Sequence, residues 1–246
     1  MTDVSKYSKF RFKGEMEEID VPIYTKSYLS DEHDGHLTNT GSGYSTIRTA
    51  ESCNEDVHDD ENYIRIGQWE SLGMFFKIHR GFIFFDTSNL SPDAEIVSAS
   101  IKFNLNTDDS NSPAWDIVIQ NGQPNYPNKP IIQSDYNYTY YSGDGGSFNT
   151  SNLPGVNEDF TIELSEDGIS WINKGGITKL CIRSSRDIDG TEATGEEDVS
   201  IHSREESDER APTLTVNYRL PKSISITGTG KVSISKSPGK VLRTSS

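Results

Sequence analysis

Residues 80–106 read RGFIFFDTSNLSPDAEIVSASIKFNLN. The order is strand, turn, strand. Phe82, Ile83, Phe84 and Phe85 make an apolar run too short for a helix, and Asp86-Thr87-Ser88-Asn89 then Ser91-Pro92-Asp93 supply turn-forming residues. From Ala99 onward, Ala99, Ile101, Phe103 and Leu105 alternate with polar partners, the period of two that marks a strand with one buried face.

Outward from this stretch the same rhythm recurs. Strands are predicted at Tyr44–Thr49, Tyr63–Ile66, Phe75–Phe85, Ile96–Leu105, Asp116–Gln120, Phe160–Leu164, Leu180–Arg183, Val199–His202 and Leu214–Tyr218. Ser165–Asn173 reads as one helical turn or a bend, and residues 121–154 are rich in Asn, Pro and Gly and read as loops. Short strands punctuated by turns predict an all-β fold. The expected architecture is a jelly-roll-like antiparallel β-sandwich over residues 41–218, with an N-terminal arm at 1–40 and a C-terminal strand extension at 219–246.

Of 246 residues, 38 are acidic and 23 basic, giving a net charge of −15. Such a surface repels phosphate, so neither nucleic acid nor an anionic membrane is an expected partner, and cation binding becomes worth considering. The most apolar window, Met74–Phe85, is interrupted by Lys77, His79 and Arg80 and is too short to span a bilayer, so membrane insertion is not expected. The first residues contain no apolar signal core, which predicts synthesis in the cytoplasm without a cleavable export signal. Cys53 and Cys181 are too few for a disulfide framework; the apolar setting of Cys181 favours a buried thiol, while pairing of the two stays open.

Charge is unevenly distributed. Residues 219–246 contain Arg219, Lys222, Lys231, Lys236, Lys240 and Arg243 and no acid, so against a whole-chain charge of −15 the first 218 residues carry −21. Ile224 and Ile226 before Thr227-Gly228-Thr229-Gly230, with Val232 and Ile234 after it, form a hairpin or extended-strand pattern. A lone hairpin is marginal in water and needs a host sheet. Residues 219–246 are therefore expected to lie on an acidic surface, the chain's own or that of a neighbouring copy or subunit, by strand addition to an open sheet edge, the alternative being a solvated, disordered tail.

Two candidate sites follow from residue chemistry. Trp115, Tyr126, Tyr136, Tyr138, Tyr140 and Tyr141 lie in or near the loop-rich region, where flat rings beside Asp and Asn could stack on sugars. The competing expectation is that these rings pack the loops onto the sandwich. Asp187, Asp189 and Glu192 offer three carboxylates around Gly190 as a possible structural Ca²⁺ site, although the spacing is not that of an EF-hand. Catalysis is not expected: there is no G-x-S-x-G elbow or phosphate-binding loop, and the five histidines read as unrelated, with His33, His36 and His58 in polar loops.

The run Arg80–Ser88, with Leu90 and Ala94-Glu95-Ile96-Val97-Ser98-Ala99, resembles the motif of jelly-roll domains of the DNRLRE or carbohydrate-binding-module-96-like group. The likeness is greater to uncharacterised domains of tailed-virus and environmental proteins. It extends through Gln133–Tyr136, Tyr141–Ser151, Ser170–Asn173, Gly176–Lys179, Arg183–Asp187 and Pro212–Tyr218, covering roughly residues 44–218. The charged run Arg204–Arg210 departs from the group, where a Gly-containing turn is common.

The resemblance implies an accessory sandwich that binds glycans or builds surfaces. It makes the leading expectation a non-enzymatic structural subunit of a virion or other external surface, such as a decoration, tail or fibre protein. A glycan-binding adhesin module is the alternative, and a polysaccharide-degrading enzyme the weaker one.

Overall fold

In a computed structural model, residues 21–110 and 113–221 are described in full, and residues 223–226, 232–237 and 240–241 as backbone. The strands are β1 (Tyr24–Leu29), β2 (Gly35–Gly41), β3 (Tyr63–Ser71), β4 (Phe75–Asp86), β5 (Glu95–Asp109), β6 (Asp116–Gln120), β7 (Ser147–Asn149), β8 (Asp159–Glu163), β9 (Ile177–Ser184), β10 (Glu196–His202), β11 (Thr213–Arg219), β12 (Ser223–Ile226), β13 (Val232–Ser237) and β14 (Lys240–Val241). Among the described residues three short α-helices intervene, α1 (Tyr44–Arg48), α2 (Glu166–Ser170) and α3 (Ser185–Asp189), with 3-10 turns at Gln133–Tyr136, Tyr138–Tyr140 and Thr150–Asn152.

Among the described residues, eleven strands form one curled sheet in the order β1-β11-β5-β10-β3-β4-β9-β6-β7, with β2 added on β4 and β8 on β5. Every pairing in it is antiparallel. The fold is an all-β jelly-roll sandwich. Its geometry depends on two long strands that change partners along their length. On β4, residues 75–79 pair with β3 and residues 81–86 with β9, while 76–82 pair with β2. On β5, residues 95–102 pair with β11, residues 105–109 with β10, and residues 100–104 with β8.

The Phe82–Phe85 run is continuous rather than alternating because both faces of β4 are buried. Ile83 and Phe85 enter the inner core with Ile64, Ile66, Ile101, Phe103, Ile117, Ile162, Leu180, Ile182 and Val216. Phe82 and Phe84 enter a second, outer core with Phe76, Ile78, Leu37, Tyr44, Ile47, Ile131, Tyr136, Tyr141 and Cys181. Gly81 pairs with His36 on β2 and Ile182 on β9, and the Ile64 and Ile66 side chains of β3 pack directly against it. A Cβ there would meet Ile64 Cγ2 at 2.8 Å and Ile66 Cγ1 at 3.2 Å.

Two expectations are corrected. Tyr44–Thr49 is not a strand: Tyr44 and Ile47, three residues apart, bury the same face of helix α1 against the outer core. Residues 1–40 are not wholly an arm either. β1 lies within that range and pairs with β11, and β2 begins there and pairs with β4. β2 escapes a search for apolar alternation because it buries His36, Thr38 and Asn39 beside Leu37. Ser165–Asn173 resolves as α2, capped by the Ser165 hydroxyl accepting from the Gly168 N–H. Cys53 and Cys181 are both buried free thiols. No helix among the described residues is long and apolar enough to cross a membrane.

β12, β13 and β14 form a separate three-stranded sheet that shares no ladder with the eleven-stranded one among the described residues. The expected hairpin is present as backbone, and it pairs within itself rather than on the edge of a host sheet.

Candidate functional site

The expected ring platform is largely consumed by packing. Trp115, Tyr136 and Tyr141 are buried, Trp115 in the inner core and the two tyrosines in the outer one. Full burial of a large apolar side chain stabilises by about 1.5–3 kcal/mol. Tyr126 and Tyr140 stack face to face at 3.7 Å and 6°, so each covers one face of the other's ring. Tyr138 lies half-buried with the Arg48 guanidinium 5.1 Å from its ring centre. The six residues therefore do not converge on one open surface.

Asp187 is drawn inward. Arg80, on the outer-core face of β4, donates from Nε and an Nη to the two Asp187 carboxylate oxygens, both at 2.8 Å. Arg183 Nε donates to the same carboxylate at 2.7 Å and its Nη1 to Gln120 Oε1 at 2.9 Å. Arg80 also stacks on Tyr136 at 4.0 Å and donates to the Tyr136 and Arg48 carbonyls. Arg48 in turn holds the carbonyls of Asp187 and Ile188. Arg80, Arg183 and Asp187 are all essentially inaccessible.

Burial opposes ionisation of Asp187, but the two guanidiniums and their hydrogen bonds overcome it and hold the carboxyl well below the usual carboxylate range. This corrects the expectation for Asp187 as a cation ligand. Its oxygens are occupied by guanidinium groups, and Asp189 and Glu192 are exposed rather than gathered around it. Among the described residues, no group of three or more His, Cys, Asp or Glu is placed to hold a metal ion.

An open cleft lies on the other side of β4. Arg65, Trp69, Lys77, His79, Asp109, Glu196 and Asp198 line a space of about 280 Å³. β3 supplies Arg65 and Trp69, β4 supplies Lys77 and His79, β10 supplies Glu196 and Asp198, and β5 ends at Asp109. The register places Gly67 opposite both His79 and Asp198. At φ 121°, Gly67 adopts a backbone that side chains rarely allow, and a Cβ there would collide with the Glu197 carbonyl.

Within the cleft, Trp69 Nε1 donates to Glu196 Oε1 at 3.3 Å. Arg65 Nε faces Asp198 Oδ1 at 3.5 Å without a directed hydrogen bond. Desolvation pushes the Asp198 carboxyl up to about 6 despite the pull of Arg65.

Histidines that read as unrelated meet beside this cleft. His36 stacks on His58 at 4.7 Å and 7°, and His79 lies 6.2 Å from His36. His79 Nδ1 is 2.8 Å from the Thr38 hydroxyl. Burial pushes His36 down to about 3 and His79 well below the ordinary value, so both rings are neutral near pH 7. Pairing of β2 with β4 brings His36 to His79, and the backbone bridge between His36 and His58 adds the third ring. One signal for the cleft was legible: Tyr63, Arg65 and Trp69 alternate with Ile64 and Ile66, a polar face opposite a core face.

The fold and the cleft define an antiparallel β-sandwich that carries a polar, Trp-containing recess. No family model matches the chain, and no curated protein matches it. Among solved structures, it is similar to one titled as the cryo-EM structure of Mud crab tombus-like virus at 3.3 Å, with 10% identity, a TM-score of 0.30, and coverage of 87% of this chain and 88% of that one. A likeness of that order carries no argument about function.

Proposed function

We propose that this chain is a non-enzymatic structural subunit of an external surface, of the virion decoration, tail or fibre kind, and that it assembles through residues 219–246. The observation that carries the reading is the small sheet β12-β13-β14. Among the described residues it shares no ladder with the body, and it belongs to a segment of six cations and no acid on a chain that is otherwise strongly acidic. A three-stranded sheet of this size is marginal unless its apolar side is covered, and opposite charge favours covering it with an acidic sandwich. The resemblance to jelly-roll surface domains agrees with this role.

Light scattering of the full chain against a chain lacking residues 222–246 tests the reading. The full chain is expected at a multiple of its 27.4 kDa mass and the shortened chain at a single copy. Equal masses for the two would overturn it.

A second reading, glycan binding, is favoured by the cleft rather than by the tyrosine loops. Trp69 supplies a flat apolar surface, while Arg65, Lys77, Glu196 and Asp198 supply hydrogen-bonding groups. On a glycan array, Trp69→Ala is expected to abolish binding that Tyr126→Ala leaves intact. Release of reducing ends from a bound polysaccharide, lost in Asp198→Asn, would move the reading to hydrolysis.

A further inference from the structure

The hairpin joining β3 to β4 ends in an apolar tip. Leu72 at φ 58° and Gly73 at φ 69° form a turn whose two central residues are both left-handed. Tight hairpins use this turn, and Asn-Gly or Asp-Gly is the usual filling. A leucine there is held in a backbone conformation that its Cβ disfavours. Core packing does not account for it, since Leu72 is 89% exposed, Met74 68% and Phe75 42%. Phe75 meets Trp69 edge-on at 6.2 Å, extending the apolar surface toward the cleft.

Strain and exposed apolar side chains at one point mark a contact surface. The base of the tip is acidic: Glu70 accepts from the Gly73 N–H, and Glu196 accepts from the Trp69 indole. The nearby cations Arg65 and Lys77 face Asp198 and Glu55.

The complementary surface is on the same chain. β12 and β13 pair with Ile224 opposite Ile234 and Ile226 opposite Val232, and with Ser223 opposite Ser235 and Ser225 opposite Ser233. With a period of two, the four aliphatic positions share one face of this sheet and the four serine positions the other. Every charged residue in the segment around them is basic.

We propose that the Leu72–Phe75 tip of one copy docks on the aliphatic face of the β12–β13 sheet of a second copy. This rests on the assembly reading above and supplies the surface that receives the strand extension. Docking brings the apolar tip to the aliphatic positions of β12 and β13 and sets Glu70 and Glu196 against the basic segment. The contact joins unlike surfaces of two copies, so it is heterologous and can add copies in one direction.

The test uses two full-length variants, Leu72→Asp with Met74→Asp in one and Ile224→Asp with Ile234→Asp in the other. Leu72 and Met74 are exposed, so an unchanged circular dichroism melt is the folding control for the first. Light scattering should find each variant alone as a single copy. An equimolar mixture should recover a species of twice that mass, because one partner keeps an intact tip and the other an intact sheet. If the tip variant assembles like the unaltered chain while the sheet variant does not, assembly through the C-terminal segment stands and the tip is not its acceptor. Failure of the mixture to recover mass also overturns the pairing. An unaltered chain that stays a single copy removes the assembly reading itself.

Discussion

Two arginine–aspartate pairs flank β4, and they do different work. Arg80 and Asp187 form a bidentate pair in a fully buried site, joined by Arg183 and covered by Tyr136. Arg65 and Asp198 face each other across an open cleft at 3.5 Å with no directed hydrogen bond. The residue types are the same, yet one carboxyl is held below its ordinary range and the other is pushed up to about 6. Satisfaction decides the outcome. A desolvated carboxylate that receives several guanidinium hydrogen bonds stays ionised, whereas one that receives only a distant charge does not compensate its lost water. The first pair ties α3 to β4 and β9; the second leaves a buried, weakly paired carboxyl in the wall of the cleft.

The largest expected break in this comparison is Asp187→Asn. It leaves Arg80 and Arg183 buried without their counter-charge, which costs about 3–5 kcal/mol. Urea unfolding should show the midpoint falling sharply with the slope unchanged; a loss comparable to that of a surface substitution would contradict the anchoring role.

The acid response comes next. Folding suppresses protonation of His36, whose folded value is about 3 against an ordinary 6.5, and of His79 likewise. The unfolded chain then binds the extra protons, so this contribution is full above about 6.5 and is lost as the pH falls toward 3. Asp198 works in the opposite sense. Its folded value of about 6 exceeds the ordinary 3.8, so its contribution is full below 3.8 and is lost as the pH rises through 6. Thermal scans of His36→Asn should therefore show a weaker fall in Tm between pH 7 and pH 4 than the unaltered chain shows. An unchanged pH dependence would remove the buried ring from the account.

Asp198→Asn sharpens the contrast with Asp187→Asn. At pH 7 it relieves a poorly compensated buried carboxylate and gives up only its 3.5 Å ion pair with the partly exposed Arg65, so stability should change by less than about 1 kcal/mol or rise. A loss at pH 7 matching that of Asp187→Asn would show that the two pairs are equivalent. The smallest effect is expected at the rings: Tyr138→Ala removes a half-buried side chain and its stack on Arg48, with a cost near 1 kcal/mol in the same urea series.

How much of this was legible in the sequence depended on how local its cause was. The Phe82–Phe85 run and the Ala99–Leu105 alternation identified the two long strands because strand burial writes itself into adjacent positions. β2 was not legible, since its buried His36, Thr38 and Asn39 are stabilised by neighbours that only pairing supplies. The tyrosine loops were read as a platform because sequence counts rings without showing which faces are covered, and Tyr126 and Tyr140 cover one another. Asp187 looked like one member of an acidic loop. Its actual partners, Arg80 and Arg183, lie on β4 and β9, and Arg80 is more than a hundred residues away in sequence. The cleft draws on β3, β4, β5 and β10, so its chemistry exists only after the sheet has formed.

The most direct test is a site-resolved titration of the two carboxyl carbons by NMR. Asp198 should titrate near pH 6, while Asp187 should show no protonation until the chain itself unfolds in acid. Two ordinary titrations near pH 4 would contradict the account, because neither the dry anchor nor the responsive cleft would then exist in solution.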